Sequence, residues 1–448
     1  MIRIALQSAA HHRRSFLATG VVILVGTTLV SAMAAILATG IAPETAVADR
    51  PFLTQFPLIM GTWILAIVVF AVVSTVSVAL ENRTDEITGL RLIGATPEQV
   101  RRLAAVETAA ISVVAALPGV ALSYLLGGVI VSRVAANGLI SAASHYTPGW
   151  VLPATAGLLV IAAGVLGGHL GARSAARRSP IGAPETAASR QRGPRVRRAA
   201  AVTLIVIGLA SSVTSLAMDP SSVYATAATG PGVVLVAVGT ALLAAEILGL
   251  ANRLLGKASV RGTASVHLAR INLREVHQRS RPLVTFLVLF IGVSSGTLTM
   301  QAIENDANSN SGGIGAVMAS INYLVVVLIA AFMAIALANT IVSAIAARRE
   351  ELRDLRLVGA TAGQVRRTVV AEGVIAILAS AVAAAVAAAV AVIPFAIAKL
   401  GTPLAVLNPV PYVMTIVIGA LLTIGIISAA TRLSGRRAAS GENHELRG

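Results

Sequence analysis

Runs of about 20 apolar residues, each long enough to cross a hydrocarbon layer of roughly 30 Å as a helix, recur ten times along this chain. They lie near residues 15–40, 57–80, 104–132, 151–170, 199–217, 231–250, 283–302, 320–346, 368–398 and 411–431. No water-soluble core could bury them all: the chain is 56% hydrophobic and 12% charged, with a mean hydropathy of +0.84. Alternation of the barrel kind is absent, so the runs are read as helices. The expected fold class is an all-α polytopic membrane protein with about ten transmembrane helices. The first run is too long for the apolar segment of a cleavable signal and reads as a signal anchor.

The net charge of +16 invites a nucleic-acid reading, but the placement of the charges argues against it. With the N-terminus inside, the 35 Lys and Arg fall in the N-terminal segment, the even-numbered loops and the C-terminal tail, save Arg50, Arg133 and Lys399. That is the positive-inside asymmetry of cytoplasmic loops. It predicts cytoplasmic N- and C-termini, and a basic surface that faces anionic membrane lipids and cytoplasmic partners. No nucleic-acid partner is expected. The chain has no Cys, which removes disulfides and thiolate metal sites, and no zinc-type spacing or catalytic triad appears. The expectation is a chain that binds no metal and is not itself an enzyme.

One segment occurs twice, 265 residues apart: LRLIGATPEQVRR at Leu90–Arg102 and LRLVGATAGQVRR at Leu355–Arg367, identical at ten of thirteen positions. The flanks keep register, with Arg83, Glu86, Ile87 and Glu107 answering to Arg348, Glu351, Leu352 and Glu372. Such a duplication marks a repeated structural unit. Read as physics, each copy is a short cytoplasmic helix with acids in its first turn, stopped at Gly94 or Gly359. A new helix then opens with a capping box, Thr96 with Gln99 or Thr361 with Gln364, and Pro97 suits the first helical position in the first copy. Ile87 and Leu90, like Leu352 and Leu355, share one face. Glu86 and Arg91, or Glu351 and Arg356, rim it. Two uses of such a helix stand open: docking into a partner's groove, or packing only on its own bundle.

The simplest partition is four spans, two, then four: a first unit at 1–175, a basic cytoplasmic linker at 176–198, a two-helix insert at 199–264 and a second unit at 265–448. Four plus two is even, so the repeats are parallel and a pseudo-twofold axis runs along the membrane normal. Each unit opens with a basic amphipathic stretch, Arg3–Phe16 or Arg270–Leu283, suited to the inner membrane surface. Gly171–Arg198 carries eight Arg against one Glu and reads as a solvated tether or a regulatory segment. The outer loops are too short for a folded domain.

The pattern R-T-x-E-I-x-x-L-R-x-x-G-A-T between a second and a third span resembles the signature of the FtsX-like permease family, the membrane subunits of MacB-type ABC transporters. Here it reads Arg83-Thr84-Asp85-Glu86-Ile87-Thr88-Gly89-Leu90-Arg91-Leu92-Ile93-Gly94-Ala95-Thr96, and again from Arg348 to Thr361 with Arg349 at the Thr position and Leu352 at the Ile position. The ten-span layout is similar to the BceB-like branch, which handles antimicrobial peptides. The chain departs from MacB and BceB members in having no large extracellular domain. The resemblance implies a permease that works with two copies of a MacB/LolD-like ATPase, which dock on the helices carrying Glu86, Ile87, Leu90, Arg91 and Gly94 and carrying Glu351, Leu352, Leu355, Arg356 and Gly359. It further implies a cytoplasmic (plasma) membrane location in a bacterium, and a two-component sensor kinase as a further partner if the cargo is a peptide antibiotic. Mechanotransmission would extract or export an amphiphilic substrate, such as an antimicrobial peptide, lipid or hydrophobic drug. An FtsX-type signalling scaffold that regulates cell-envelope enzymes and a secondary transporter are the alternatives.

The chain carries no phosphate-cradling loop: Ala258 follows Gly256-Lys257 where Ser or Thr should hold Mg²⁺, and Ala251 stands where the first Gly belongs. ATP and Mg²⁺ are therefore expected only through the partner ATPase, with no cofactor on this chain. Glu246, inside the sixth apolar run, is a membrane-interior candidate, with interfacial pairing to Arg253 or Asn252 as the other reading. His169, near the end of span four, is open to packing or to proton or ligand work. Gly164, Gly167, Gly168 and Gly171, and Gly292 with Gly296, have the spacing of close helix approach. Pro118 and Pro394 can kink spans three and nine.

Overall fold

The apolar runs fold as helices throughout. The computed structural model describes residues 13–81, 88–89, 92, 94–141, 144–176, 192–220, 223–258, 277–307 and 313–445. Among them there are twelve α-helices and no strand: α1 (Arg13–Ile41), α2 (Arg50–Glu81), α3 (Pro97–Ala136), α4 (Val151–Ala176), α5 (Arg192–Val213), α6 (Val223–Leu242), α7 (Ala244–Ala258), α8 (His277–Ala307), α9 (Gly313–Ala347), α10 (Arg349–Leu357), α11 (Ala362–Leu400) and α12 (Pro409–Glu445). Ten are long and apolar enough to cross a membrane. The exceptions, α7 and α10, are short and amphipathic. The chain is an all-α polytopic membrane protein. Most of the two basic amphipathic stretches and of the linker lies outside the described residues.

The repeat in sequence is a repeat in packing. Helix α1 packs on α2, α3 and α4, while α3 and α2 each pack on α4; α8 in turn packs on α9, α11 and α12, while α11 and α9 each pack on α12. The same five pairings occur in both groups. The groups meet where α9 touches α1 and α2. A twofold that exchanges them would carry the α1–α9 contact onto α8–α2, and α6 stands there, packed against α2, α8 and α11. Helix α8 becomes the most enclosed span, 83% buried against 61% for its counterpart α1. Two of its buried hydroxyls bond within the helix, Ser295 Oγ to Ile291 O (2.6 Å) and Thr297 Oγ1 to Val293 O (2.8 Å).

Two boundaries differ from the sequence expectation. Helix α5 begins at Arg192, inside the stretch read as linker. The sixth span runs from Ala225 to Leu242, earlier than the apolar run at 231–250. Its polar start is accommodated because Thr229 is buried and donates to Ala225 O (3.0 Å). The chain turns at Leu243, and Glu246 falls in the first turn of α7 rather than inside the span.

The glycine spacing works as packing seams, divided between two neighbours. Gly164 and Gly168 face Ser112 and Thr108 of α3, while Gly167 and Gly171 face the α2 backbone. A Cβ on Gly167 would stand 2.9 Å from Val73 Cα and 3.0 Å from Val73 O, and neither atom can move without the whole helix. Gly167→Ala is therefore expected to cost about 1–3 kcal/mol by overpacking, read as a lowered unfolding midpoint in detergent. An unchanged midpoint would show that α2 and α4 separate freely.

Candidate coupling site

Two hairpins, one per group, carry the repeated motif at the same end of the bundle. In the second copy, α10 is a nine-residue helix whose apolar stripe turns inward: Leu352 is buried, and Leu355 packs half-buried against the core. Helix α10 ends as a Gly-terminated helix should. Gly359 takes φ +98°, Val358 N–H donates to Asp354 O, and Ala360 N–H reaches back to Leu355 O, both at 3.0 Å. Helix α11 starts two residues on with its capping box closed: Thr361 N–H donates to Gln364 Oε1 (2.8 Å), and Gln364 N–H donates to Thr361 Oγ1 (3.2 Å).

The first copy repeats the turn and the capping box. Gly94 has φ +101°, Thr96 N–H donates to Gln99 Oε1 (2.9 Å), and Gln99 N–H donates to Thr96 Oγ1 (3.3 Å), with Pro97 opening α3. Both stops and both capping boxes form as the sequence predicts. Glu86, Ile87, Leu90 and Arg91 lie outside the described residues, as does the Arg356 side chain.

What the structure adds is a clamp behind the second hairpin. Arg348, in the turn between α9 and α10, holds Glu351 of α10 through Nη2 to Oε1 (3.2 Å) and Nε to Oε2 (3.3 Å). It also grips Glu372 of α11 through Nη1 to Oε2 and Nη2 to Oε1 (3.3 Å). Glu372 is 5% exposed. Burial lowers the Arg348 pKa, and the carboxylates of Glu372 and Glu351 outweigh it, so the guanidinium is held charged well above its ordinary value. One side chain thus ties the short helix to the long one behind it. Glu107, at the position equivalent to Glu372, is buried on α3 as well.

Glu351, read as a rim charge, is therefore half turned inward, and Leu352 and Leu355 are engaged with their own bundle. The groups the hairpins present outward are Leu92, 64% exposed, and Leu357 and Val358, 75% and 89% exposed. The sequence reading passed over them, although Leu92 and Leu357 are identical in the two copies. The paired register of Arg348 and Glu372 was the signal for the clamp, but nothing in it said that the two side chains meet.

The two remaining candidates sit away from this site. Glu246 is held by two cations of α5: both its oxygens accept from Arg197 Nη2 (3.0 Å), and Oε1 accepts from Arg198 Nε (2.6 Å). Burial pushes its carboxyl up, and the hydrogen bond from Arg198 with the charge of Arg197 outweighs this, leaving it below the ordinary range. It pins α7 to the start of α5. His169 is exposed on α4, away from the glycine seam. Among the described residues no group of His, Asp and Glu could hold a metal ion.

No curated protein matches the chain. The FtsX-like permease C-terminal family does, twice, at residues 58–180 and 323–440. Each match takes in one hairpin with the spans on either side of it, and together they cover more than half of the chain. The protein belongs to the FtsX-like permease family.

Proposed function

We propose that one copy of this chain carries both coupling hairpins of an ATP-driven transporter, on which two copies of a MacB/LolD-like ATPase dock. Family membership supports a permease-type role beside an ATPase. The observation that carries the finer reading is the duplication of the capped hairpin, with a large apolar side chain, Leu92 or Leu357, exposed at the same point of each copy. A soluble partner present twice fits this arrangement. The Arg348 clamp supplies the link from a docked ATPase into α11, so that closure of the ATPase pair rocks the two four-helix groups against each other. In this reading the hairpins and both termini face the cytoplasm, the membrane is the bacterial plasma membrane, and the cargo is an amphiphile taken from the bilayer. A BceB-like role in resistance to antimicrobial peptides, with a sensor kinase as further partner, is the version of it that the ten-span layout suggests.

The stoichiometry tests the reading. Native mass spectrometry of the complex assembled with the ATPase is expected to give one permease chain with two ATPase chains. A mass with two permease chains would overturn the pseudo-dimer reading of the repeat. The two docking sites should differ in affinity, because Pro97 and Glu98 of one turn are Ala362 and Gly363 in the other, and Pro presets the first helical position where Gly loosens it.

A further inference from the structure

The sixth span is 18 residues long. At about 1.5 Å per residue it uses up the hydrocarbon layer of roughly 30 Å. Helix α7 opens two residues later, at Ala244 after Leu242, and so begins in the headgroup layer, at the end of the bundle that carries the hairpins. One of its faces is spent on the fold: Ala244 and Leu248 are fully buried, and the helix packs on α8 and α11. The opposite face carries Glu246, Leu250, Arg253 and Leu254 at helical spacing. Both leucines are mostly exposed, at 59% and 60%, and Arg253 is exposed. Glu246 draws the start of α5 to this same side through Arg197 and Arg198, and with it come the exposed Arg195 and Arg198.

Charge decides what covers this face. Helices α5 and α7 together carry six bases against one acid, and that acid, Glu246, is already taken by Arg197 and Arg198. An apolar stripe beside net positive charge, at the depth of the headgroups, has the character of a helix that lies in the membrane surface. We infer that the outer face of α7, with the start of α5, is a binding surface for anionic phospholipid. Leu250 and Leu254 enter the boundary between headgroups and acyl chains, and Arg195, Arg198 and Arg253 receive the negatively charged headgroups. A zwitterionic lipid offers the same phosphate, but its ammonium cancels the charge, so the surface discriminates between the two. Held there, α7 keeps the insert at the membrane surface where it backs α8 and α11. The repeat contains no counterpart of the insert, so the surface occurs once per chain. It concerns the permease alone and stands or falls apart from ATPase docking.

The chain has no Cys, so Leu254→Cys takes a bimane label at a single place. In phosphatidylcholine nanodiscs the label is challenged with iodide, which stays in water, and with phosphatidylglycerol or phosphatidylcholine carrying a doxyl nitroxide on the acyl chain. The lipids are expected to quench it and iodide to have little effect. Doxyl-phosphatidylglycerol should act with at least about fivefold higher apparent affinity than doxyl-phosphatidylcholine, the factor that one guanidinium near a charged surface supplies. Quenching by iodide and not by lipid would put the face in water, open to a protein, and would overturn the proposal. Equal quenching by the two lipids would overturn it as well, since it would mean apolar contact without recognition of the headgroup. Arg195→Gln combined with Arg253→Gln should bring the two lipids to within about twofold of each other. Both residues are exposed and neither belongs to the Glu246 tie, so the fold is retained. A double variant that keeps the full preference would overturn the assignment of the headgroup to these bases.

Discussion

Arg348→Met is expected to cost about 3 kcal/mol or more, among the largest losses available to a single substitution here. The cation sits between Glu351 and the buried Glu372, and taking the guanidinium from a buried ion pair strips the desolvated carboxylate of its grip, typically 3–5 kcal/mol. Denaturant or thermal unfolding in detergent should show the drop. Pairing the change with Glu372→Gln should recover more than half of it, since the desolvated negative charge is then gone. Arg348→Lys should recover less, because an ammonium cannot grip two carboxylates with a planar fork. If Arg348→Met melts like the parent, the clamp is not holding α10 to α11, and the transmission route through it fails. In the assembled transporter the same substitution should leave ATP hydrolysis running while transport falls, because the docked helix is no longer tied to the span behind it.

The second large effect is at the hairpin tips. Leu92→Asp combined with Leu357→Asp is expected to weaken ATPase association at least a hundredfold while changing the permease's own stability by no more than about 0.5 kcal/mol. Both side chains are mostly exposed, so neither contributes much to the fold. If each is buried in a partner it is worth about 1.5–3 kcal/mol, and two sites lost together exceed two decades in affinity. Co-purification with the ATPase and a melt of the permease alone read the two quantities separately. A complex that survives the double change would show that the docking surface lies elsewhere. Charge reversal at Glu351 is a poorer test, since that residue is bound to Arg348 and its loss would confuse docking with folding.

Much of this protein was legible before any coordinates. Span length and apolarity depend on local composition and on the thickness of a bilayer, so all ten helices could be read from the chain. The two capped hairpins were equally readable, because a capping box and a Gly stop act over three or four residues: Thr96 with Gln99, Thr361 with Gln364, and positive φ at Gly94 and Gly359. The glycine seam at Gly164–Gly171 was readable as a seam. Which neighbours it would face was not.

Everything that depends on which helix lies beside which was hidden. Glu246 was read as lying within a span and falls just past its end, tied to α5, because Arg197 and Arg198, 48 or 49 positions earlier, come to it only when α5 and α7 pack. Arg348 and Glu372 were paired in register between the copies, yet their contact needs α10 to fold back on α11. Trp63, Thr226 and Glu304 likewise come to one small cavity only because three separate helices bring them there. Local rules act along the chain and are written in it; the meeting of distant side chains is set by helix packing, which a one-dimensional pattern of apolar residues, nearly uniform around every span, does not encode.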